Sequence, residues 1–235
     1  MCTSDDPRDR RTRVAAAVEG DGGQRLIIDT PPELRLQLVA ADLGSVDAVL
    51  FTHDHADHIH GIDDLRAFTA RHGSLPVYGP AEVLDRLRQR FGYIFDDGTP
   101  RQPETPRPDL TPRPLAAGVE VSVAGLPVLP LEFEHGLMRV YGYRIGDLAY
   151  VTDVKSVPAA VVERLRGVKV LVLNALFDRP HPTHLSIPEA VAVAQAVGAE
   201  RTLLTHLTHR YAHADLAARL PAGVEPAYDG LVVSL

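Results

Sequence analysis

The chain has only one cysteine among its 235 residues, so no intrachain disulfide can form. This fits a reducing compartment, where disulfides are rare. No apolar stretch approaches the roughly 18 residues that indicate a membrane-spanning helix, and the N-terminus is polar and charged, unlike a signal peptide. Together these absences predict a cytoplasmic protein that does not enter a membrane.

Basic residues are also scarce, since 24 Lys and Arg stand against 31 Asp and Glu, for a net charge of −7. Non-specific affinity for nucleic acid comes from Lys and Arg contacts, so we expect no large nucleic-acid partner. The chain contains neither a nucleophile elbow nor a phosphate-cradling Gly loop, which disfavours covalent catalysis and nucleoside triphosphate chemistry. With 45% hydrophobic residues it can bury a full core, and we predict one domain over residues 1–235.

A polar segment follows an apolar run at residues 47–51 and reads T-H-D-H-A-D-H from Thr52 to His58. Its candidate metal ligands are His53, His55, Asp57 and His58. Imidazole and carboxylate are the ligands that divalent metals such as zinc prefer. A helix N-terminus would explain one or two acidic residues through the helix dipole, but none of the histidines. The segment therefore predicts a metal site.

The spacing in this segment also indicates two ions. Residues two apart in extended backbone point the same way, so His53 and His55 can bind one ion together. If a helix begins near Asp57, then Asp57 and His58 face another direction. A catalytic zinc usually has three protein ligands, so each ion needs a further ligand from elsewhere. Three candidates each come just after a predicted strand, namely His135, Asp153 and His206.

The remaining hydrophobic pattern predicts alternating strands and helices. Predicted strands cover residues 13–19, 24–28, 47–51, 75–78, 119–123, 126–133, 139–145, 148–152, 169–173 and 201–204, and predicted helices cover 31–41, 80–91, 158–166, 188–197 and 214–220, with one more from the metal segment to residue 70. Residues 96–114 contain six prolines in nineteen residues, more than a packed element tolerates, and indicate a surface loop or flap. A plain connector and a substrate-covering lid both remain open for this segment.

The order of these motifs resembles the metallo-β-lactamase superfamily: H-x-H-x-D-H, a lone His, an Asp after a strand, and a His after a late strand. Within it, the chain most resembles the branch that includes the cyclic phosphodiesterase of phosphonate metabolism and, more distantly, the tRNA 3′-processing ribonuclease. The resemblance runs from C-T-S-D-D-P-R-D-R-R-T-R at residues 2–13 to A-Y-D-G-L at residues 227–231. It implies an α+β fold, a four-layer αββα sandwich.

The resemblance also implies a ligand assignment. One ion would be held by His53, His55 and His135, and the other by Asp57, His58 and His206. Asp153 would bridge the two ions, and Asp29 would brace the site from a buried position without binding metal. Zinc and manganese suit such a set best, and iron also fits it.

A second histidine cluster, His181-Pro182-Thr183-His184, precedes L-S-I-P-E at residues 185–189. This arrangement resembles the phosphodiesterase branch, in which a non-ligand His lies beside the metals. A phosphodiester transition state gathers charge on its oxygens, and the departing alkoxide needs a proton that His184 could donate. The resemblance thus assigns catalysis to His184 together with Asp57, while a solvated loop residue stays the alternative for His184.

The N-terminus departs from the family pattern. Relatives begin with an extra strand and a Gly-rich loop before a segment of clustered cysteines, whereas this chain starts at Met1-Cys2, inside that segment. Cys2 and His209 would be the survivors of a structural zinc site, and because a closed site needs four ligands we expect no structural zinc. Loss of the first strand would leave an unpaired sheet edge, which favours association, for example as a homodimer.

Three functional classes follow from these motifs. The first is a dinuclear hydrolase of small phosphodiesters, such as cyclic phosphates or nucleotides, in which two ions activate a shared water. The second keeps the fold but cleaves a lactone, thioester or β-lactam. The third is a ligand-binding member with an incomplete site. The placement of His184 favours the first class, and the intact ligand set disfavours the third.

Overall fold

The computed structural model describes residues 3–96, 98 and 104–235, so Cys2 lies outside the described residues. Two compact units make up the chain. One is Arg13–Leu126, and the other combines Met1–Thr12 with Pro127–Leu235. No helix within the described ranges is both long and apolar enough to cross a membrane.

The Arg13–Leu126 unit is built around a five-stranded sheet in the order β1-β2-β3-β4-β5. Its strands are β1 (Ala16–Glu19), β2 (Arg25–Ile28), β3 (Ala48–Leu50), β4 (Leu75–Gly79) and β5 (Leu110–Pro114). The residue range of this unit also contains β6 (Val121–Val123), which is not part of this sheet. Its helices are α1 (Leu34–Ala40), α2 (Ala56–Ile59), α3 (Arg66–His72), α4 (Ala81–Arg90) and α5 (Gly92–Phe95), with a 3₁₀ helix at Ile62–Leu65. Only the β1–β2 pair is antiparallel, and the pairs from β2 to β5 are parallel.

Burial explains the composition of this sheet. The interior strand β3 is apolar and wholly buried, as expected for a parallel strand covered on both faces. Helix α4 buries Val83, Leu84 and Leu87, which share one face at helical spacing, and exposes most of its charged residues. Because β2 pairs in parallel with β3, the ends of the two strands lie side by side. The polar residues that follow each strand are therefore close together.

The expectation of a loop over all of residues 96–114 was wrong at its C-terminal end. Residues Leu110–Pro114 form β5, which pairs in parallel with β4 and places Pro112 opposite Val77 and Pro114 opposite Gly79. Proline is tolerated there because β5 lies at the end of the strand order, where one side of the strand donates no ladder hydrogen bond. The helix expected to run from the metal segment to residue 70 is likewise broken into α2, a 3₁₀ turn and α3.

In the other unit the strands are ordered β12-β11-β10-β9-β8-β7. They are β7 (Leu126–His135), β8 (Met138–Ile145), β9 (Leu148–Val151), β10 (Val170–Asn174), β11 (Arg201–Thr205) and β12 (Val224–Pro226), and the helices are α6 (Ala159–Leu165), α7 (Ile187–Val197) and α8 (His213–Arg219), after a 3₁₀ turn at Pro7–Asp9. Strands β7, β8 and β9 are antiparallel neighbours, whereas β9 to β12 run parallel. The carboxyl ends of the parallel strands therefore meet at one edge, where ligands bind in open α/β sheets. The sequence patterns did not predict β12.

Candidate metal centre

Asp29 organises the polar end of β2 and β3. Its side chain is fully buried and accepts hydrogen bonds from the Thr52 backbone N–H at 2.8 Å and the Thr52 hydroxyl at 2.7 Å. It also accepts a hydrogen bond from Nδ1 of His58 at 2.8 Å. Burial raises the pKa of Asp29, while its bonds to His58 and Thr52 lower it. Asp29 thus contacts the candidate ligand His58 directly, as expected of a residue that braces the site.

The candidate ligands of the metal segment lie close together. Nε2 of His53 is 3.1 Å from Nδ1 of His55, and the His53 and His58 rings have centroids 4.1 Å apart. Nε2 of His58 lies 3.6 Å from a carboxylate oxygen of Asp57, which is partly exposed at the start of α2. Within this unit the chain therefore gathers three imidazoles and a carboxylate in one place.

Hydrogen bonding sets which ring nitrogen of these histidines carries the proton. A carboxylate only accepts, so Nδ1 of His58 is protonated against Asp29 and its Nε2 presents a lone pair. The Thr52 hydroxyl donates to Asp29 and is free to accept from Nδ1 of His53 at 2.9 Å. Metal-binding histidines typically donate their second nitrogen to an oxygen in this way, which fixes the ring for ligation.

The Met1–Thr12 and Pro127–Leu235 unit brings together a second group of residues that could hold a metal ion. The ligand atoms of Asp153, His184 and His206 all lie within 4.8 Å of one another. Oδ2 of Asp153 is 3.2 Å from Nε2 of His184 and 3.4 Å from Nε2 of His206. The Thr152 hydroxyl donates to the other Asp153 oxygen at 2.6 Å, so Oδ2 is the oxygen directed at both imidazoles.

His135, at the end of β7, has one ring nitrogen that donates to an oxygen, as His53 and His58 do. It is 5% exposed, and its Nδ1 donates to the backbone carbonyl of Thr183 at 2.9 Å, so its Nε2 carries the lone pair of the neutral ring. Its ring centroid is 4.7 Å from that of His184. Both units therefore contain imidazoles oriented by oxygen acceptors, and this donor set fits a divalent ion of the zinc or manganese type.

Backbone strain marks three of these positions. Asp29, Asp153 and His206 adopt φ values of 64°, 57° and 57°, in the left-handed region that non-glycine residues rarely enter. Each comes just after a strand, respectively β2, β9 and β11. Such conformations persist where surrounding structure enforces them, and they are often found at functional sites.

His184 is held by its own loop. Its Nδ1 lies 2.8 Å from the Thr183 hydroxyl and 3.3 Å from Nδ1 of His181. Burial lowers the pKa of His181, and the neighbouring His184 and Lys155 lower it further. The geometry thus orients Nε2 of His184 towards Asp153, and it allows both a ligand and a non-ligand role for that nitrogen.

Among the described residues, the groups of candidate metal ligands do not include His209. It is exposed, while the loop after His206 is held by the N-terminal segment instead. Arg11 donates to the carbonyls of Thr208 at 3.3 Å and Tyr211 at 3.0 Å, and Asp9 accepts from the backbone N–H at the start of α8 at 2.7 Å. These polar contacts hold the loop that carries His209.

Sequence reasoning missed a second support of the metal segment. Asp54, only 2% exposed, is contacted by Nε of Arg86 at 2.8 Å and by Nη2 of Arg90 at 2.8 Å. Arg90 also donates to the Asp54 backbone carbonyl. The two arginines are four residues apart on α4 and share a face, a spacing that the sequence contains but that points to no particular partner. They hold Asp54 between His53 and His55.

The chain is similar to several known proteins. Residues 24–207 match the family described as the beta-lactamase superfamily domain. A solved structure described as a new diphosphatase from the PhnP family is similar at a TM-score of 0.88 and 36% identity, covering 98% of this chain and 86% of that one.

Two curated relatives share part of their length with the chain. An octanoyltransferase of Porphyromonas gingivalis is 36% identical over 98% of this chain but 46% of that protein. A ribonuclease Z of Archaeoglobus fulgidus is 32% identical over 53% of this chain and 39% of that protein. The chain thus matches less than half the length of each of these two relatives.

Proposed function

Because the chain belongs to the beta-lactamase superfamily, we propose that it is a dinuclear metal-dependent hydrolase of small phosphodiesters, cyclic phosphates and nucleotides included. The family and the α+β metallo-β-lactamase fold with two sheets were predicted from the motifs and are confirmed. The proposal goes further by assigning the bond cleaved, the number of ions and the role of each residue.

For the ligands we keep the assignment that the motif order implies, within a single domain over residues 1–235. One ion is assigned to His53, His55 and His135, the other to Asp57, His58 and His206, and both to Asp153. Support comes from the oriented ring nitrogens of His53, His58 and His135 and from the direction of the Asp153 carboxylate. Two divalent ions in such a set would activate a water and neutralise charge on the phosphate oxygens.

The observation that carries the choice of phosphodiesters is the position of His184. Its Nε2 lies 3.2 Å from Asp153, and its Nδ1 is held by the Thr183 hydroxyl. A proton on Nε2 of His184 can pass to the alkoxide that departs from phosphorus, which is the step that needs a general acid. Hydrolysis of a lactone or β-lactam needs no acid placed on a phosphate, so the same geometry favours it less.

The relatives support chemistry at phosphorus. The diphosphatase and the ribonuclease Z are both named for cleaving bonds to phosphate. More than half of the octanoyltransferase has no counterpart in this chain, so its acyl transfer is not carried over. The net charge of −7 supports small substrates over a long nucleic acid.

The test replaces His184 and varies the leaving group. His184→Ala should keep the metal content and lower kcat by roughly 10²–10⁴, the usual contribution of a positioned general acid. The loss should be greatest for 2′,3′-cyclic nucleotides and smallest for bis(p-nitrophenyl) phosphate, whose leaving group needs little protonation. His72→Ala, which changes an exposed histidine, is the matched control.

Other outcomes would contradict particular parts of the proposal. Loss of metal in the His184 variant would make this residue a ligand, as its place beside Asp153 and His206 allows. Turnover of a lactone panel without any turnover of phosphodiesters, in the presence of Mn²⁺ or Zn²⁺, would replace the proposed substrate class. Fewer than two ions per fully loaded chain would refute the dinuclear assignment.

A further inference from the structure

Asp54, the residue between the candidate ligands His53 and His55, is held from helix α4. Its carboxylate is only 3% exposed and forms ion pairs with Nε of Arg86 and with Nη2 of Arg90, each at 2.8 Å. Arg90 also donates to the backbone carbonyl of Asp54. We call Asp54, Arg86 and Arg90 the Asp54 clamp. It fixes both the side chain and the main chain of the residue that separates the two imidazoles.

The clamp makes two contacts with one carboxylate. Arg86 lies against Oδ1 of Asp54, and Arg90 lies against Oδ2. A single guanidinium would already neutralise the charge of a buried carboxylate. Contacts to both oxygens, from residues one helical turn apart, also restrict the orientation of the carboxylate. The clamp therefore restrains Asp54 in addition to balancing its charge.

The restraint on Asp54 extends to the imidazoles on either side of it. His55 has extended backbone, with φ −65° and ψ 150°, and its ring centroid is 4.7 Å from that of His53. In extended backbone, side chains two positions apart project to the same side and the one between them projects to the other. With Asp54 tied to α4, His53 and His55 are turned towards each other, and their nearest ring nitrogens are 3.1 Å apart.

The second half of the metal segment is braced separately. His58 donates through Nδ1 to Asp29, which follows β2, and Asp57 lies in the first turn of α2. The contacts of the clamp fall instead on Asp54, in the first half of the segment, and come from the helix that follows β4. Removal of the clamp should therefore affect the two halves of the segment unequally.

We propose that the Asp54 clamp positions His53 and His55 for metal binding and so raises the affinity for the ion assigned to them. The affinity for the other ion, assigned to Asp57 and His58, depends little on the clamp. This inference rests on the two-ion assignment of the proposed function. Ligands that are already held in place lose less freedom on binding, and removal of a group that orients ligands typically costs 10–100-fold in metal affinity. The alternative is a clamp that only stabilises the fold.

The test is a zinc titration of the metal-free protein, with and without the clamp. The Arg86→Gln and Arg90→Gln double variant should bind one ion roughly 10–100-fold more weakly than the wild type and the other within about threefold of it. Arg88→Gln is the matched control, since Arg88 lies on the same helix and pairs with the exposed Asp85 at 2.8 Å. The control should leave both affinities as in the wild type.

A second background identifies which ion is affected. His55→Ala removes a ligand of the ion that the clamp is proposed to support, so only the other ion should bind tightly. In this background the loss of both arginines should change the remaining affinity by less than about twofold, because the interaction that they support is already gone. A loss as large as in the protein that retains His55 would overturn the proposal.

Urea unfolding of the metal-free variants separates positioning from folding. The double variant leaves a buried carboxylate unpaired, so its free energy of unfolding should fall. A merely structural role would then weaken both ions alike, and either that result or an unchanged titration would overturn the proposal. If the double variant does not fold, each single variant still leaves one guanidinium on Asp54 and should weaken the same ion by roughly three- to tenfold. No change in either single variant would also overturn the proposal.

The titration also separates this proposal from the proposed function, because it needs no substrate. Weaker binding of one ion in the double variant, and not in Arg88→Gln, supports the clamp even if no phosphodiester is cleaved. If the wild-type protein binds one ion only, the dinuclear assignment fails. The clamp is then supported by a loss of affinity for that ion in the double variant and overturned by an unchanged affinity.

Discussion

Asp29→Asn should weaken metal binding while leaving the free energy of unfolding nearly unchanged. The substitution keeps the volume of the side chain and changes only which groups around it donate and accept hydrogen bonds. In the wild type the buried carboxylate of Asp29 accepts from Nδ1 of His58 and from the backbone and hydroxyl of Thr52. The amide oxygen can keep the backbone bond to Thr52. The amide NH₂ then faces the Thr52 hydroxyl, which can accept, and Nδ1 of His58, which must also accept.

This change in hydrogen bonding at Nδ1 affects the protonation of Nε2, the other ring nitrogen of His58. If Nδ1 accepts from the amide, the proton of the neutral ring moves to Nε2, the atom that lies 3.6 Å from Asp57 and is assigned to the metal. Loss of such an oriented contact typically costs 10–100-fold in metal affinity, or about 1.4–2.7 kcal/mol. The free energy of unfolding of the metal-free protein should change by less than about 1 kcal/mol, because the Thr52 hydroxyl can turn its proton to Nδ1 of His53 and no buried donor is then left without an acceptor.

The assay for this variant combines zinc titration with urea unfolding of the metal-free protein. Asp47→Asn is the matched control, since Asp47 is exposed and accepts from the backbone N–H of Arg25 at 2.7 Å in the same unit. Asp29→Ala should behave differently, because it leaves the buried donors unsatisfied at about 1–3 kcal/mol each. Zinc affinity in Asp29→Asn equal to that of the Asp47 control would refute the tautomer reasoning.

Three further predictions test other parts of the structure. Ser186→Ala should lower the free energy of unfolding by about 1 kcal/mol, because Ser186 and Glu189 form a reciprocal cap at the start of α7; an unchanged urea midpoint would contradict this. Burial, followed by the charges of nearby arginines, lowers the pKa of His213. The folded state therefore resists protonation, and stability present above about pH 6.5 is lost as the pH falls towards the folded pKa. Urea unfolding of metal-free protein at pH 7.5 and 5.5 should show a smaller acid loss for His213→Gln than for the wild type, and equal losses would argue against it. Cleavage of a pre-tRNA 3′ trailer at physiological salt should be negligible for a chain with a net charge of −7, and efficient trimming in a gel assay would overturn this.

Local patterns in the sequence predict much of the fold and the candidate metal ligands. The interior strand β3 is read from an unbroken apolar run, and the metal segment is read from histidine and aspartate at fixed spacing directly after it. These signals are short-range, since the period of side chains along a strand and the ligand chemistry of imidazole need no knowledge of distant residues. For the same reason the boundaries of most helices and strands agree with the structure to within a few residues.

Some elements depended on their neighbours in space. Residues Leu110–Pro114 are rich in proline, and only their position at the end of the strand order allows them to be a strand. Strand β12, Val224–Pro226, has three residues and no distinctive pattern, and it is defined by its pairing with β11. In both cases the partner strand supplies the hydrogen bonds that the local sequence does not specify.

The sequence by itself determined which residues are candidate metal ligands and roughly where along the chain they fall. Only the tertiary structure decided how those residues are held. Asp29 reaches Thr52 and His58 because the parallel pairing of β2 with β3 brings their ends together, and Arg86 and Arg90 hold Asp54 across more than thirty residues of chain.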